Sequence, residues 1–212
     1  MIEYVNQTLI NSWSLCPERV RRRWIENEII PPGIAARIGT GVHKGAETNH
    51  KAKIQTGKDE PESVVKDAAR DGYIKAIEDG VFFPPDEASS AKNQIAEGVD
   101  TTVNLAGVYR QSLAPKISPA IIEKTVLMSV KGFDYPFAGT VDVYTKDKWL
   151  PDLKTAARKW PENRAEASAQ ATLYNELIKH QTGEYPSKLS FEIFVKNIFV
   201  EGLFVSDCVQ AA

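Results

Sequence analysis

The first half of the chain carries apolar side chains at the spacing of an α-helix. In the segment TLINSWSLCPERVRRRWIENEI, residues 8–29, they recur every three or four positions, at Leu9, Trp13, Cys16, Val20 and Trp24. This spacing predicts one amphipathic helix, or two short helices that meet near Pro17. The same period predicts three further helices over residues 38–57, 61–80 and 87–113, with Pro or Gly near several of their ends.

The pattern changes at residue 117, where short runs of β-branched and aromatic residues alternate with turn residues. Runs over 120–130, 135–145 and 148–155 predict three strands, and runs over 188–197 and 198–206 predict two more. Between the two groups, residues 161–183 return to the helical period. This order predicts one α/β or α+β domain over residues 1–212, mostly helical over 1–115 and with its sheet core over 116–212.

Composition narrows the classes of protein to which this chain can belong. With 212 residues, of which 42% are apolar and 9% aromatic, it can bury one substantial core. We expect a soluble, cytoplasmic protein without a membrane partner, because no apolar run approaches the ~20 residues of a membrane span and no secretory leader is visible. The net charge of −2 restricts any nucleic-acid contact to local basic patches.

Two acidic residues and a lysine interrupt the apolar pattern of the second and third predicted strands. In GTVDVYTKDKWLPDLKT, residues 139–155, a turn over 145–148 would place Asp142 directly across from Asp152, with Lys154 on the same face. Opposed carboxylates repel each other unless a divalent cation lies between them, and hard oxygen ligands favour Mg²⁺ or Mn²⁺. A solvent-facing hairpin with an incidental Asp–Lys pair explains the same pattern.

Four motifs resemble those of the PD-(D/E)XK nuclease superfamily, in the RecB-like branch that includes CRISPR-associated adaptation exonucleases. In chain order they are NSWSLCPERVRRRW, GTGVHKGAE, the pair GTVD and DLK, and QATLY. The resemblance runs from about residue 8 to residue 200. It implies a restriction-endonuclease-like core, in which helices flank a central mixed β-sheet, with an additional helical region at the N-terminus.

The resemblance also implies how phosphodiester hydrolysis would be divided among the motif residues. Asp142 and Asp152 would bind an Mg²⁺ or Mn²⁺ ion, with the backbone carbonyl of Leu153 and a nitrogen of His43 as further ligands. Lys154 would orient or polarise the attacking water and stabilise negative charge in the transition state.

Two residues of the QATLY motif lie one helical turn apart. Gln170 and Tyr174 are at positions i and i+4, so they share a helix face, and the resemblance implies that both hydrogen-bond the scissile or the adjacent phosphate. Tyr174 is also consistent with a core tyrosine whose hydroxyl has a partner. Glu123 falls where the family carries a glutamate on its first strand, and we group it with the residues expected near DNA.

Basic residues in two segments are candidates for contact with the DNA backbone. Arg158, Lys159 and Arg164 follow the third strand closely and could track phosphates, although a solvated loop explains them as well. Arg22 and Arg23 belong to the run RVRRRW, which either binds phosphate with aromatic stacking or forms the solvated face of an amphipathic helix.

The cysteines exclude one cofactor of the family. Some relatives hold an iron–sulfur cluster with one N-terminal cysteine and three near the C-terminus, whereas this chain has only Cys16 and Cys208. Two thiolates cannot supply four ligands, so no iron–sulfur cluster is expected within the chain. Cys16 is then expected to be a small core residue.

These features together predict a metal-dependent DNA nuclease. The resemblance suggests an exonuclease that acts on single-stranded DNA or duplex ends in phage or bacterial recombination, repair or CRISPR adaptation, with proteins of those pathways as possible partners. The alternative is a catalytically silent DNA-binding or assembly subunit that keeps the nuclease fold. The sequence leaves the oligomeric state open.

Overall fold

The computed structural model describes residues 2–161, 168–195 and 198–204. Its helices are α1 (Gln7–Leu15), α2 (Pro17–Val20), α3 (Ile34–Thr56), α4 (Glu62–Glu78), α5 (Ala91–Val108) and α6 (Ala169–Thr182). Its strands are β1 (Pro119–Met128), β2 (Phe137–Thr145), β3 (Trp149–Ala156), β4 (Lys188–Val195) and β5 (Ile198–Phe204). The predicted α+β class is confirmed, since helices and strands both contribute extensively.

The N-terminal segment forms two short helices that meet at Cys16. Of the two predictions, a single helix or two short helices that meet near Pro17, the second is confirmed. Asn6 caps α1 by accepting a hydrogen bond from the backbone of Leu9 at 2.9 Å, and Pro17 opens α2. The expectation that Cys16 is a core residue was wrong, because Cys16 is exposed. Trp13 is also 59% exposed, since the two helices bury only a narrow face.

The strands form two sheets in the described part of the chain, and the predicted single central sheet is divided between them. β1 pairs with β2 in antiparallel fashion, whereas β3 pairs with β4 in parallel and β4 with β5 in antiparallel fashion. The predicted cross-strand pairing of Asp142 with Asp152 is therefore wrong. At the turn between β2 and β3, the Thr145 hydroxyl binds the backbone of Trp149 and Lys148 adopts a left-handed φ of 64°. Beyond this turn, β3 takes its ladder partners from β4.

Helices α3, α4 and α5 pack closely enough to exclude a side chain at Gly41. A Cβ atom there would lie 2.8 Å from the carbonyl oxygen of Ala69 on α4 and 2.6 Å from a methyl group of Thr102 on α5. The glycine thus lets the three helices approach one another. His43, two residues later on α3, lies against β2 and β3. In the described ranges, none of the helices has the length and apolarity that a membrane crossing requires.

A buried polar cluster fixes the far half of α3. Asn49 donates hydrogen bonds to Asp59 at 2.8 Å and to the hydroxyl of Tyr109 at 3.2 Å, and that hydroxyl lies 2.8 Å from Nε2 of His50. Since the Tyr109 oxygen accepts from Asn49, its proton points to His50, which accepts as a neutral imidazole. Burial accordingly lowers the pKa of His50 to about 4.

We expect His50 to make the protein less stable as the pH falls from about 6.5 towards 4. The unfolded chain takes up a proton near pH 6.5, whereas folded His50 resists protonation until about pH 4. Between pH 7 and pH 5 the free energy of unfolding should therefore fall by about 2 kcal/mol through this residue. Urea denaturation at both pH values would measure it. His50→Gln, which keeps an acceptor but does not titrate, should lose less stability, and an equal loss would contradict the assignment.

Candidate functional site

Three elements bring His43, Asp142 and Leu153 together. His43 extends from α3, and its Nε2 lies 3.0 Å from the carbonyl oxygen of Leu153 on β3 while its Nδ1 lies 3.4 Å from Oδ1 of Asp142 on β2. The backbone N–H of Leu153 points at the other oxygen of Asp142, at 3.4 Å. Asp142 therefore faces the residue after Asp152, not Asp152 itself, and the two acids are offset by one position.

The electrostatics of His43 and Asp142 are mutually favourable. Burial acts to lower the pKa of His43, but the charge and hydrogen bond of Asp142, helped by the charge of Asp152, raise it to about 9. For Asp142, burial acts to raise the pKa, and the charge and hydrogen bond of His43 outweigh it, so the pKa is lowered. At neutral pH the pair is an imidazolium and a carboxylate. Any ion bound by His43 would have to displace a proton.

Asp152 is the most enclosed charge of the site, with only 3% of its surface exposed. Oδ1 accepts a hydrogen bond of 2.9 Å from the side-chain amide of Gln170, and Nζ of Lys154 lies 2.6 Å from Oδ2. Within the described residues this ion pair is the contact that Oδ2 makes, and the oxygen has no further hydrogen-bond partner. Burial, and to a lesser extent the charge of Asp142, raise the pKa of Asp152 to about 6, against the opposing charge of Lys154.

The predicted sharing of one helix face by Gln170 and Tyr174 is present on α6. Gln170 binds Asp152, and the Tyr174 hydroxyl donates a hydrogen bond of 2.9 Å to the carbonyl of Thr140 on β2. Gly139 allows this approach, because a Cβ there would lie 3.0 Å from the Tyr174 ring. Burial and the charges of Asp152 and Asp142 raise the pKa of Tyr174. The ring also packs against the apolar core, so Tyr174 is both a core residue and part of the site.

Glu123 lies beside the site and not on a basic surface. It occupies β1 with a left-handed φ of 43° and lines the same cleft as His43. Although the residue as a whole is exposed, loss of water around its carboxyl group and the charge of Asp142 raise its pKa to about 7. A carboxylate in this place repels phosphate. The chemistry of Glu123 is therefore closer to that of a cation ligand than to that of a DNA contact, the group in which the sequence analysis placed it.

A cleft of about 1050 Å³ runs between α3 and α4 and ends at the site. His43, Leu153, Lys154 and Glu123 line that end. Further along, its charged lining is mixed, with basic and acidic side chains from both helices, namely Arg37, Lys44, Lys75, Glu47, Asp71 and Asp79. The cleft gives an extended ligand access to Lys154, and its charge alone does not select an anion.

The other predicted DNA contacts lie away from this cleft. Arg22 is held by Glu18 at 2.9 Å, and the guanidinium of Arg23 lies 5.0 Å from the centre of the Trp24 ring. Both lie in the exposed π-helical segment Arg21–Ile25 that follows α2. Arg158 and Lys159 are exposed in the loop after β3. Arg164 lies outside the described residues. For Arg22 the solvated-face interpretation agrees with its pairing.

The donor chemistry of the site suits a hard divalent cation. Two carboxylates, a backbone carbonyl and an imidazole converge, and Oδ2 of Asp152 is a buried oxygen with lone pairs that no hydrogen bond uses in the described part of the chain. As they stand, no three His, Cys, Asp or Glu side chains of the described residues are grouped to hold an ion. The reason is visible in the contacts, since Lys154 and Gln170 hold Asp152 while Asp142 and Leu153 hold His43. The residues fit an ion by their chemistry, provided that Lys154 gives up Oδ2.

Comparison with known proteins shows a similarity in fold alone. No protein-family model matches it, and no curated protein does. Among solved structures, it is similar to the crystal structure of a putative exonuclease from Eubacterium rectale, with a TM-score of 0.57, 12% sequence identity, and coverage of 93% of this chain and 73% of that chain. The chain therefore has a nuclease-like α+β fold.

Proposed function

We propose that this protein is a metal-dependent DNA nuclease of the RecB-like branch of the PD-(D/E)XK superfamily, acting as an exonuclease on single strands or duplex ends. The observation that carries the proposal is the clustering of His43, Asp142, Asp152, Lys154 and the Leu153 carbonyl, of which His43, Leu153 and Lys154 line the end of one cleft. Five groups from α3, β2 and β3 meet in this cluster, although they are far apart in the sequence. The nuclease-like fold supports the same conclusion.

The proposed cofactor is Mg²⁺ or Mn²⁺, held by Asp142, Asp152, the Leu153 carbonyl and His43. When bound, such an ion lowers the pKa of a water molecule and neutralises charge on phosphoryl oxygens. An ion at Asp152 would take over the charge that Lys154 now supplies to Oδ2, because both cations favour the same oxygen. The freed ammonium, still in the cleft, can then orient the attacking water or stabilise the phosphoryl oxygens.

The remaining side chains hold this arrangement in place. Gln170 fixes the orientation of Asp152 through Oδ1, which leaves Oδ2 as the oxygen available to a cation. Tyr174 fixes the backbone of β2 at Thr140, two residues before Asp142. Gln170 therefore positions Asp152 directly, and Tyr174 positions Asp142 through the backbone of β2. Contact with phosphate would be an additional role. Participation in recombination, repair or CRISPR adaptation, with partners from those processes, rests on the sequence resemblance.

Cleavage of labelled DNA tests the proposed function. We expect single-stranded or duplex oligonucleotides to be shortened in the presence of Mg²⁺ or Mn²⁺, and cleavage to stop when the metal is chelated. Asp142→Asn should remove cleavage, because it takes away a proposed ligand, whereas Asp147→Asn in the exposed turn after β2 should not. Binding of DNA without cleavage under every metal condition would contradict the nuclease and support the silent subunit.

A further inference from the structure

A second, smaller cavity is lined in part by Tyr174. It measures about 210 Å³ and lies between the N-terminal segment and the β1–β2 hairpin. This is below the ~300–1,000 Å³ of pockets that enclose a whole drug-sized ligand. The space therefore suits one unit of a longer molecule better than a separate cofactor.

Backbone hydrogen bonds hold the two walls of this cavity together. The N–H of Val5 donates to the carbonyl of Pro136 at 2.8 Å, and the N–H of Ala138 donates to the carbonyl of Val5 at 2.8 Å. These bonds add Val5 to the edge of β2, and the Asn6 cap fixes the start of α1 directly beyond it. The cavity is thus bounded by fixed backbone and is a built feature of the fold.

The cavity is lined by hydroxyl and amide groups. The polar side chains that face it are Asn6, Gln7, Thr8, Thr125, Thr140 and Tyr174, and no carboxylate or basic group of the described residues joins them. Such neutral groups are common partners of phosphate and sugar oxygens. The large cleft differs in this respect, because acidic and basic side chains both line it.

Gln7 and Tyr4 are the two side chains of this lining whose chemistry best suits a base. Oε1 of Gln7 is buried and accepts no hydrogen bond from the described residues, while its Nε2 is used by Asn11 at 2.7 Å. Tyr4 has 41% of its surface exposed at the edge of the cavity. A buried acceptor suits the N–H groups on the edge of a base, and an exposed aromatic ring suits its face.

The cavity and the carboxylate site share a wall. Thr140 lines the cavity and precedes Asp142 by two residues on β2, which is about 7 Å along a strand. Tyr174 also lines the cavity, and Gln170, one turn before it on α6, holds Asp152. A chain molecule whose reactive bond lies at Asp142 and Asp152 can therefore place its neighbouring unit in the cavity.

We propose that this cavity binds the nucleotide that adjoins the cleaved bond of a single DNA strand. Tyr4 stacks on the base, Gln7 accepts from the base edge, and the threonine hydroxyls contact the sugar and phosphate. The proposal rests on the proposed nuclease function and adds the position of the DNA strand beside the site. It also explains a preference for unpaired DNA, because a paired base could not enter a cavity of this size.

Binding measured without cleavage tests this proposal separately from catalysis. The fluorescence anisotropy of a labelled oligothymidylate should be titrated with the full chain in the presence of a chelator. We expect Tyr4→Ala to weaken binding about 10-fold, within the range of base–aromatic stacking. Thr8→Val should weaken it about 3-fold, because one hydroxyl contact is lost. Melting temperatures of both variants should match that of the unaltered protein, since both residues are exposed.

Tyr135→Ala is the matched control, because Tyr135 is 47% exposed in the β1–β2 loop but does not line the cavity. Its affinity should equal that of the unaltered chain. Equal affinity of Tyr4→Ala and the unaltered protein, or an equal loss in Tyr135→Ala, would overturn the proposal.

Hydrolysis of bis(p-nitrophenyl) phosphate with Mn²⁺ separates the two proposals. This small diester has no neighbouring nucleotide, so Tyr4→Ala should hydrolyse it at the unaltered rate while its KM for the oligonucleotide rises. If the unaltered protein hydrolyses neither the small diester nor the oligonucleotide, but its binding to DNA still depends on Tyr4, the nuclease proposal is refuted. The cavity would then stand as a strand-binding site. Full activity on both substrates in Tyr4→Ala would refute the cavity alone.

Discussion

Asp152→Asn abolishes DNA cleavage and raises the melting temperature at pH 7. Cleavage is expected to fall by at least ~1,000-fold, since the substitution removes a proposed metal ligand and the partner of Lys154. The gain in stability has a separate cause. Asp152 is 3% exposed, and burial raises the pKa of its carboxyl group from 3.8 to about 6. The folded state therefore holds a charge at pH 7 that it disfavours relative to the unfolded chain.

The pH dependence identifies this cause. A raised carboxyl pKa costs stability above about pH 6, and the cost disappears as the pH falls below 3.8, where both states are protonated. Asparagine has nearly the same shape and carries no charge, so its advantage should be on the order of 1–3 kcal/mol at pH 7 and close to zero near pH 4. Thermal unfolding at the two pH values would measure the difference.

The matched control for this experiment is Asp147→Asn. Asp147 is exposed in the turn between β2 and β3, so its substitution should leave both the cleavage rate and the melting temperature unchanged. Two results would contradict the assignment of Asp152: cleavage at the unaltered rate, or a stability difference that is the same at pH 7 and pH 4.

Lys154→Met is expected to separate metal binding from cleavage. Nζ of Lys154 lies 2.6 Å from the Asp152 oxygen that a cation would use, so the two cations compete. Methionine removes the competitor and leaves a buried carboxylate without its counter-charge. Affinity for Mn²⁺ should therefore increase about 10-fold or more, whereas cleavage should fall by at least ~100-fold because the group that stabilises transition-state charge is gone.

Calorimetric titration with Mn²⁺ and cleavage assays on the same preparation would test both effects. Lys148→Met is the control, because Lys148 is an exposed lysine that pairs with Glu184 at 2.6 Å, away from the cleft. It should change neither quantity. Unchanged Mn²⁺ affinity in Lys154→Met would show that the ammonium and the ion do not share Asp152. Unchanged cleavage would remove Lys154 from the proposed mechanism.

The helices and strands could largely be predicted from local patterns, and the pairing of the strands could not. Residues 120–130 and 135–145 form β1 and β2 nearly as expected, since β-branched runs between turns encode a strand locally. Whether β2 then pairs with β3 depends on the turn geometry and on competing partners. Eight residues of β3 find parallel partners on β4, which lies more than thirty residues later. No short-range pattern records such a long-range choice.

The candidate site divides in the same way. The motifs identify His43, Asp142, Asp152 and Lys154, and the fold brings these residues together. The sequence indicated that Asp142, Asp152 and Lys154 share one strand face, but it did not indicate that Asp152 is buried. When neighbouring elements cover both faces of a strand, even the polar side chains of that strand are buried. The sequence analysis also did not predict that Glu123 lies near Asp142. The position of Glu123 on the first strand, just before the strand that carries Asp142, could have indicated it.

The sequence by itself determined which chemical groups this protein possesses and which local elements carry them. Motif residues are encoded directly, and helix and strand periods follow from side-chain geometry over a few residues. Only the tertiary structure decided that Asp142 meets His43 and Leu153 while Asp152 is held by Lys154 and Gln170, and that Tyr4 and Gln7 close a cavity against β2. These outcomes depend on packing between segments up to about 170 residues apart, where contact is selected by the free energy of the whole fold and not by any local pattern.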